Sequence, residues 1–397
     1  MPFELHHSIL SELDAGLSVL DRVSQRRSLL RPTGVNLCSN DYLGLAGSEE
    51  LRAAILEAVH GAEFVGGTGS RLLSGHFGIW DEVECEFAEF AGTEAALYFG
   101  SGYAANVGLL TSLLGKNDLV FSDALNHASI IDGIRLSGAR KAIYAHGDLH
   151  GLEGALKAHA AGRRSGDRGR KIVVTESVFS MDGDIVDIEA IVKVAERYGA
   201  SVIVDEAHAT AVHGSGGQGI VASAGLAKTV LAVLHTCGKA LASAGAFVCG
   251  SKVLRQHLIN HARTFIFSTA MPSYMAGQIR AALSLARRMD AERAALLEES
   301  RKFVTSLRER GWDCAATESQ IVPVIVGSNE EALSAAEFLQ AEGFAVRAIR
   351  PPTVPAGKAR LRFSLTAAIE RGELDRLSSS LYEWRTRNLT PATVERG

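Results

Sequence analysis

The sequence predicts an α/β protein: a large, mainly parallel sheet domain followed by a smaller α+β domain at the C-terminal end. Two observations predict it. From about residue 50, short apolar runs alternate with helical patterns, as parallel strands covered by crossover helices do. Near Arg280 the alternation stops, and a long polar-faced helical pattern leads into a second set of strands. The chain therefore divides into an N-terminal helix and arm (1–49), a large domain (50–283) and a small domain (284–397).

The first element is an amphipathic helix within residues 8–30, ended near Pro32. The runs "AALYF", "DLVFSD", "KAIYA", "KIVVTES", "ASVIVDEAH", "TVLAVLHTCGK" and "AFVCG" follow as strand candidates. One continuous helix is expected for "RAALSLARRMDAERAALLEESRKFVTSLRERG". After it come "IVPVIVG", a helix, "FAVRAIRPPTVPAG", "ARLRFSL" and a final helix. The charge run "GRRSGDRGRK" at 162–171 reads as a solvated crossover loop, with a docking patch for an anionic carrier as the sharper alternative.

A chain of 397 residues, 47% hydrophobic and 22% charged, is of ordinary globular composition and can bury a large core. A net charge of −4 gives no global attraction to nucleic acid or to an anionic membrane. No apolar run approaches the roughly 18 residues of a membrane span. The N-terminal stretch carries early acids and histidines and no signal-like segment, so a cytoplasmic protein is expected. Five scattered cysteines with no C-x-x-C pair argue against a disulfide framework or structural zinc. Asn388 opens a glycosylation sequon that carries no meaning without secretion. Forty glycines, well above the usual share of about 7%, suggest tight turns beside a ligand.

In open α/β sheets ligands sit beyond the carboxyl ends of the strands, and five consecutive runs end in chemistry-bearing groups. These are Gly100-Ser101-Gly102-Tyr103; Asn126, His127 and Ser129; Glu176, Ser180 and Asp182; Asp205 and His208; and Thr236, Cys237, Gly238 and Lys239. "YFGSGYAAN" has the form G-x-G-x-x-A, and Asp123 ends the next apolar run, which together fit a dinucleotide fingerprint. The same turn would hold any phosphate, because the backbone N–H groups opening a helix bind anions generally. Lys239 separates these readings. It lies in the apolar, glycine-rich stretch "HTCGKALASAGAFV", and a lysine lodged there is an amine nucleophile that nicotinamide chemistry does not need. Asp205 and His208 alone could be a helix cap with a surface histidine, and His127 alone a turn histidine. His146 and His150, like His257 and His261, are four apart, but no third ligand accompanies either pair, so no metal site is expected.

The segments "NDYLGL", "GTGSRLLSG", "YFGSGYAAN", "NHASIIDG", "TESVFSMDGD", "VDEAH", "TCGKAL", "FIFSTAMP" and "RPPTVPAGKARLRFSLTAA" run in order from residue 40 to 368. In them the chain resembles the α-oxoamine synthases, fold-type I pyridoxal-phosphate enzymes with an aspartate-aminotransferase-like fold. The resemblance implies a PLP-dependent acyltransferase, a homodimer with shared active sites. Lys239 would carry pyridoxal phosphate and move the Cα proton, Asp205 would pair with its ring nitrogen, and His127 would stack on the ring. His208 and Ser180 would bond the ring hydroxyl, with Glu176 near that edge. Gly102, Tyr103 and Thr236 would hold the phosphate, joined by Ser268 and Thr269 of a second subunit. Arg362, Thr353 and an N-terminal arginine would contact substrate, with Arg26 the first choice and Arg27 and Arg31 close behind. The "IRPPTVPAG…RLR" stretch points to condensation of L-alanine with pimeloyl-CoA or pimeloyl-[acyl-carrier protein]. Sibling reactions with glycine or serine are the near alternative and a nicotinamide oxidoreductase the far one. Ala242, Ala246 and Ser273 depart from the family pattern, which has Gly at the first two and Pro at the third.

Overall fold

The computed structural model describes residues 2–162, 169–370 and 372–388. Residues 163–168 of the charge run, and Leu389 and Thr390 of the sequon, lie outside the described residues. Two compact units emerge. The larger comprises Asn40–Ser180 and Asp184–Leu296; the smaller comprises the chain up to Ser39, Met181–Gly183 and the chain from Leu297.

In the smaller unit the chain opens with the helix Pro2–Arg22 and a two-residue strand, β1 (Val35–Asn36). The helix stops short of the expected residue 30. Gln25 N–H donates to Leu20 O at 2.8 Å and Ser24 turns to φ +53°, which closes the last turn.

The larger unit holds β2 (Ala95–Phe99), β3 (Leu119–Asp123), β4 (Arg140–Tyr144), β5 (Lys171–Glu176), β6 (Ser201–Asp205), β7 (Ala232–Thr236) and β8 (Ala246–Gly250). They form one sheet in the order β2-β8-β7-β6-β5-β3-β4. All seven come from the apolar runs picked out in the sequence. Neighbours pair in parallel except at β8, which runs antiparallel to both β2 and β7. Both faces of the sheet are covered. Val120, Val174, Ile203 and Leu234 pack on one face with Leu109, Leu110 and Ile134. Phe121, Val173, Val202 and Val233, one residue out of step, pack on the other with Leu152, Leu156 and Ile188. That two-sided burial is why the strands read as continuous apolar runs. β4 closes one side of the sheet with Arg140, Lys141 and Ile143 exposed.

The long helix expected after Arg280 is two helices, Ser273–Arg287 and Asp290–Glu309. Arg293, 3% exposed, folds back to donate to Ala286 O and Asp290, and Gly216 N–H donates to Asp290 Oδ1 at 3.0 Å. Asp290 thus starts a new helix where the apolar pattern alone runs on. In the smaller unit β9 (Ile321–Gly327), β11 (Ala348–Ile349) and β12 (Ala359–Ser364) form an antiparallel sheet, and β10 (Phe344–Ala345) pairs in parallel with β1. Among the described residues no helix is long and apolar enough to cross a membrane.

A buried ion cluster ties β2 to its surroundings. Glu84, 2% exposed on the helix Gly78–Phe90, accepts from Tyr98 N at 3.0 Å, from Arg71 and from Arg255 Nη2 at 2.7 Å. The Arg71 guanidinium also lies 5.7 Å from the Trp80 ring and 5.6 Å from Phe265. Removing the carboxylate would strand a buried cation and an unpaired strand N–H. Glu84→Ala is therefore expected to cost roughly 3–5 kcal/mol in urea unfolding. A loss under about 1 kcal/mol would mean that Arg71 and Arg255 regain water instead.

Candidate active site

The carboxyl ends of β3, β5, β6 and β7 and the turn after β2 surround a cavity of about 400 Å³. Gly102, Tyr103, His127, Glu176, Asp205, His208, Thr236 and Lys239 all line it. At its centre Asp205, 5% exposed, ends β6. One carboxylate oxygen accepts from Ala207 N at 2.9 Å and the other from Asn106 Nδ2 at 2.7 Å. Asn106 also donates to Ser129 Oγ at 2.9 Å, and that hydroxyl lies 2.8 Å from His127 Nδ1. Burial lowers the pKa of His127; the Asp205 charge acts against this and that of Lys239 with it. Beside them Glu176 accepts from His127 N at 2.7 Å. Burial, reinforced by the Asp205 charge, lifts its pKa well above the usual range.

Lys239 sits half-buried in the loop that turns β7 back into β8. The loop is closed by Cys237 N–H donating to Gly245 O and Ser243 N–H to Cys237 O, both at 2.9 Å. Gly245 has φ +85°, and a Cβ there would lie 2.2 Å from the Tyr98 hydroxyl. Ala242, at one of the positions where glycine was expected, adopts φ +43°, a conformation that costs a non-glycine residue roughly 1–2 kcal/mol. Its N–H donates to Lys239 O at 2.9 Å, and its carbonyl accepts from Gln278 Nε2 at 2.9 Å, which holds the turn. Ala246, the other such position, is a fully buried strand residue of β8.

Ser101 caps the helix Gly102–Leu113, its hydroxyl accepting from Ala104 N at 3.0 Å. The N–H groups of Gly102 and Tyr103 precede any intrahelical acceptor and open on the cavity. A Cβ on Gly102 would come within 2.8 Å of Thr236 Cγ2, so only glycine lets the turn pack against the Thr236 methyl, while the Thr236 hydroxyl donates to Ala207 O at 3.2 Å. These donors, the Asp205 carboxylate and the Lys239 amine form a set that fits a phosphorylated pyridine aldehyde. The dinucleotide reading loses its acid: Asp123, 3% exposed, already accepts from Leu125 N, Gly147 N and His146.

Other expected residues are not among those lining this cavity. Ser180 follows β5 but is not among the lining residues. Ser268 and Thr269 line a separate space of about 230 Å³ with Arg71, Ser101 and Thr264. In the smaller unit Arg362, 8% exposed on β12, donates to Ser364 Oγ at 2.6 Å. Arg26 is held by Asp21 at 2.7 Å, whereas Arg27 reaches Thr353 Oγ1 at 3.4 Å, and Arg31 is exposed.

Three contributors had been given no role: Asn106, Ser129, noted only among the strand-end groups, and Tyr42, whose hydroxyl lies 2.7 Å from His208 Nδ1. All three stand inside motifs already quoted, "YFGSGYAAN", "NHASIIDG" and "NDYLGL". For Asn106 the signal was a polar side chain in a helix start otherwise made of small and apolar residues.

The chain matches the family model described as aminotransferase class I and II over residues 32–381, and it belongs to that family. It is 43% identical over 387 residues to an 8-amino-7-oxononanoate synthase of Aromatoleum aromaticum, covering 94% of this chain and 98% of the relative. Another, from Geobacter sulfurreducens, is 44% identical over 350 residues, covering 87% and 88%. Among solved structures, a serine palmitoyltransferase from S. paucimobilis with bound PLP superposes with a TM-score of 0.86 at 27% identity, covering 96% and 98%. An 8-amino-7-oxononanoate synthase from Francisella tularensis gives 0.74 at 26%, covering 89% and 98%. The fold class and the family resemblance read from the sequence are both borne out.

Outside the lining residues, His146 is gripped from both sides, Nδ1 by Asp123 at 3.0 Å and Nε2 by Asp184 at 2.8 Å. Two carboxylates on two ring nitrogens require the imidazolium. Burial alone would lower its pKa, but the hydrogen bonds to Asp123 and Asp184 outweigh burial and raise it to about 10. A histidine raised in the folded state stabilises fully below its unfolded value of about 6.5, and that contribution fades as pH climbs through 10. Unfolding free energy should therefore decline from about pH 6.5 to 10, and His146→Asn should flatten that decline. An equal decline in the variant would assign it to other groups.

Proposed function

We propose that the chain is a pyridoxal-phosphate-dependent acyltransferase, and within that class an 8-amino-7-oxononanoate synthase of biotin biosynthesis. It condenses L-alanine with a pimeloyl thioester, on CoA or acyl-carrier protein. A carbon–carbon bond forms at the alanine Cα, the thiol leaves and CO2 is lost. One observation carries the reading. A lysine, a buried aspartate and a phosphate-accepting turn converge on one cavity, in a chain 43% identical to a synthase of that name over 94% of its length.

The bound cofactor would supply an electron-withdrawing ring that stabilises negative charge at the amino acid Cα. The chain's own groups do the rest. Lys239 would carry the cofactor and accept the Cα proton, and Asp205 would keep the ring nitrogen protonated. His127 would cover the ring face, and His208 and Ser180 would hydrogen-bond the ring hydroxyl with Glu176 at that edge. The N–H groups of Gly102 and Tyr103 and the Thr236 hydroxyl would bind phosphate, and Ser268 and Thr269 would contribute from the second subunit of a homodimer. Arg362 would grip a carboxylate with its two-pronged guanidinium, and Thr353 would contact the substrate. For the N-terminal substrate arginine, Arg27 is favoured over Arg26, which Asp21 already holds. The enzyme works in the cytoplasm without nucleic acid or membrane.

A sibling activity has one specific support, the TM-score of 0.86 to serine palmitoyltransferase. Visible spectra of the PLP-loaded protein decide between them. L-alanine should perturb the cofactor band most, and thiol release from pimeloyl-CoA should depend on it. Lys239→Ala should lower turnover at least about 10²-fold, the lower bound for losing a positioned base. A band answering mainly to serine or glycine would overturn the substrate, and no band with added PLP would overturn the class.

A further inference from the structure

The His127 ring has two nitrogens that could carry its proton, and the surrounding donors choose between them. The N–H of Ser129 lies 3.2 Å from Nδ1 and can only donate, so Nδ1 presents a lone pair. Its hydroxyl, 2.8 Å from the same nitrogen, accepts from Asn106 Nδ2 at 2.9 Å, which turns the serine hydrogen toward the ring. Asn106 is itself oriented without ambiguity. Its other partner, at 2.7 Å, is a carboxylate oxygen of Asp205, which accepts only from a donor.

We propose that Asn106 and Ser129 are positioning residues that fix His127 as the neutral ring with its proton on Nε2. Donation runs outward from Asn106, to Asp205 on one side and through Ser129 to His127 on the other, and each of the four lines the cavity. Adding a proton at Nδ1 would set it against the Ser129 N–H. The other groups near the ring divide in sign: Asp205 favours the cation, Lys239 opposes it, and Glu176 holds the backbone N–H of His127. Tyr103, 6.4 Å away centroid to centroid, has its hydroxyl turned to Asp132. The consequence for catalysis rests on the cofactor reading above. A neutral imidazole can cover a ring whose nitrogen is kept protonated by Asp205, whereas an imidazolium would repel it. The tautomer itself needs no cofactor.

The test is nitrogen-15 NMR of histidine-labelled full-length protein, before and after PLP is added, with His127 assigned by loss of its signals in His127→Gln. The expected result is a neutral ring, protonated on Nε2, with a midpoint below 6.5 before PLP is added. Ser129→Ala and Asn106→Ala should both move the midpoint up toward the ordinary value of about 6.5. A merely structural role for either residue would leave that midpoint where it is. An Nδ1-protonated ring in the unmutated protein overturns the proposal, and so does an unmoved midpoint in a folded Ser129→Ala. If that variant does not fold, the tautomer in the unmutated chain decides. Failure to bind PLP would count against the cofactor reading alone.

Discussion

A carboxylate on a central strand, nearly out of reach of water, is the constraint around which the larger unit is arranged. Asp205 ends β6 between β5 and β7, and burying it without partners would cost several kcal/mol or force it to take up a proton. Its two oxygens are met by a backbone N–H two residues on and by the Asn106 amide, 99 positions earlier in the chain. The second of those bonds fixes the helix that opens at the glycine turn against the end of the sheet. The same amide passes its other hydrogen to Ser129, so one buried charge sets both the anion-accepting turn and the orientation of His127.

The strand order does the remaining positioning. β5, β6 and β7 are neighbours, so Glu176 and Asp205 end up side by side, with Thr236 ending the next strand. The reversed strand β8 lets the chain leave β7 through a closed loop rather than a helical crossover, and that loop is where Lys239 is held. Small residues then set the clearances. Gly102 admits the Thr236 methyl and Gly245 admits the Tyr98 ring, while Ala242 takes a left-handed turn without glycine's freedom.

Much of this was legible in the sequence because the physics was local. Strands buried on both faces must be apolar throughout, so all seven runs stood out, and the polar residues at their ends marked the cavity. What was not legible depended on distant partners. Nothing near residue 247 says that β8 runs backwards, since an antiparallel strand buried on both faces has the same composition as a parallel one. The break at Asp290 needs Arg293 and the Gly216 N–H to be visible, and the apolar period carries straight across it. Asn106 and Ser129 read as ordinary helix-start residues until Asp205 is beside them. Arg26 and Arg27 are chemically equal in the sequence and are told apart only by Asp21 and Thr353.

The far side of the sheet carries a consequence of another kind. Among the described residues β4 has β3 on one side and no strand on the other, a row of backbone groups that could template pairing with another chain. Arg140 and Lys141 stand exposed along it beside Ile143. An incoming strand would have to take those two cations out of water to reach the isoleucine. A sheet built from seven apolar segments thus carries two cations along one of its edges, at residues that take no part in its chemistry.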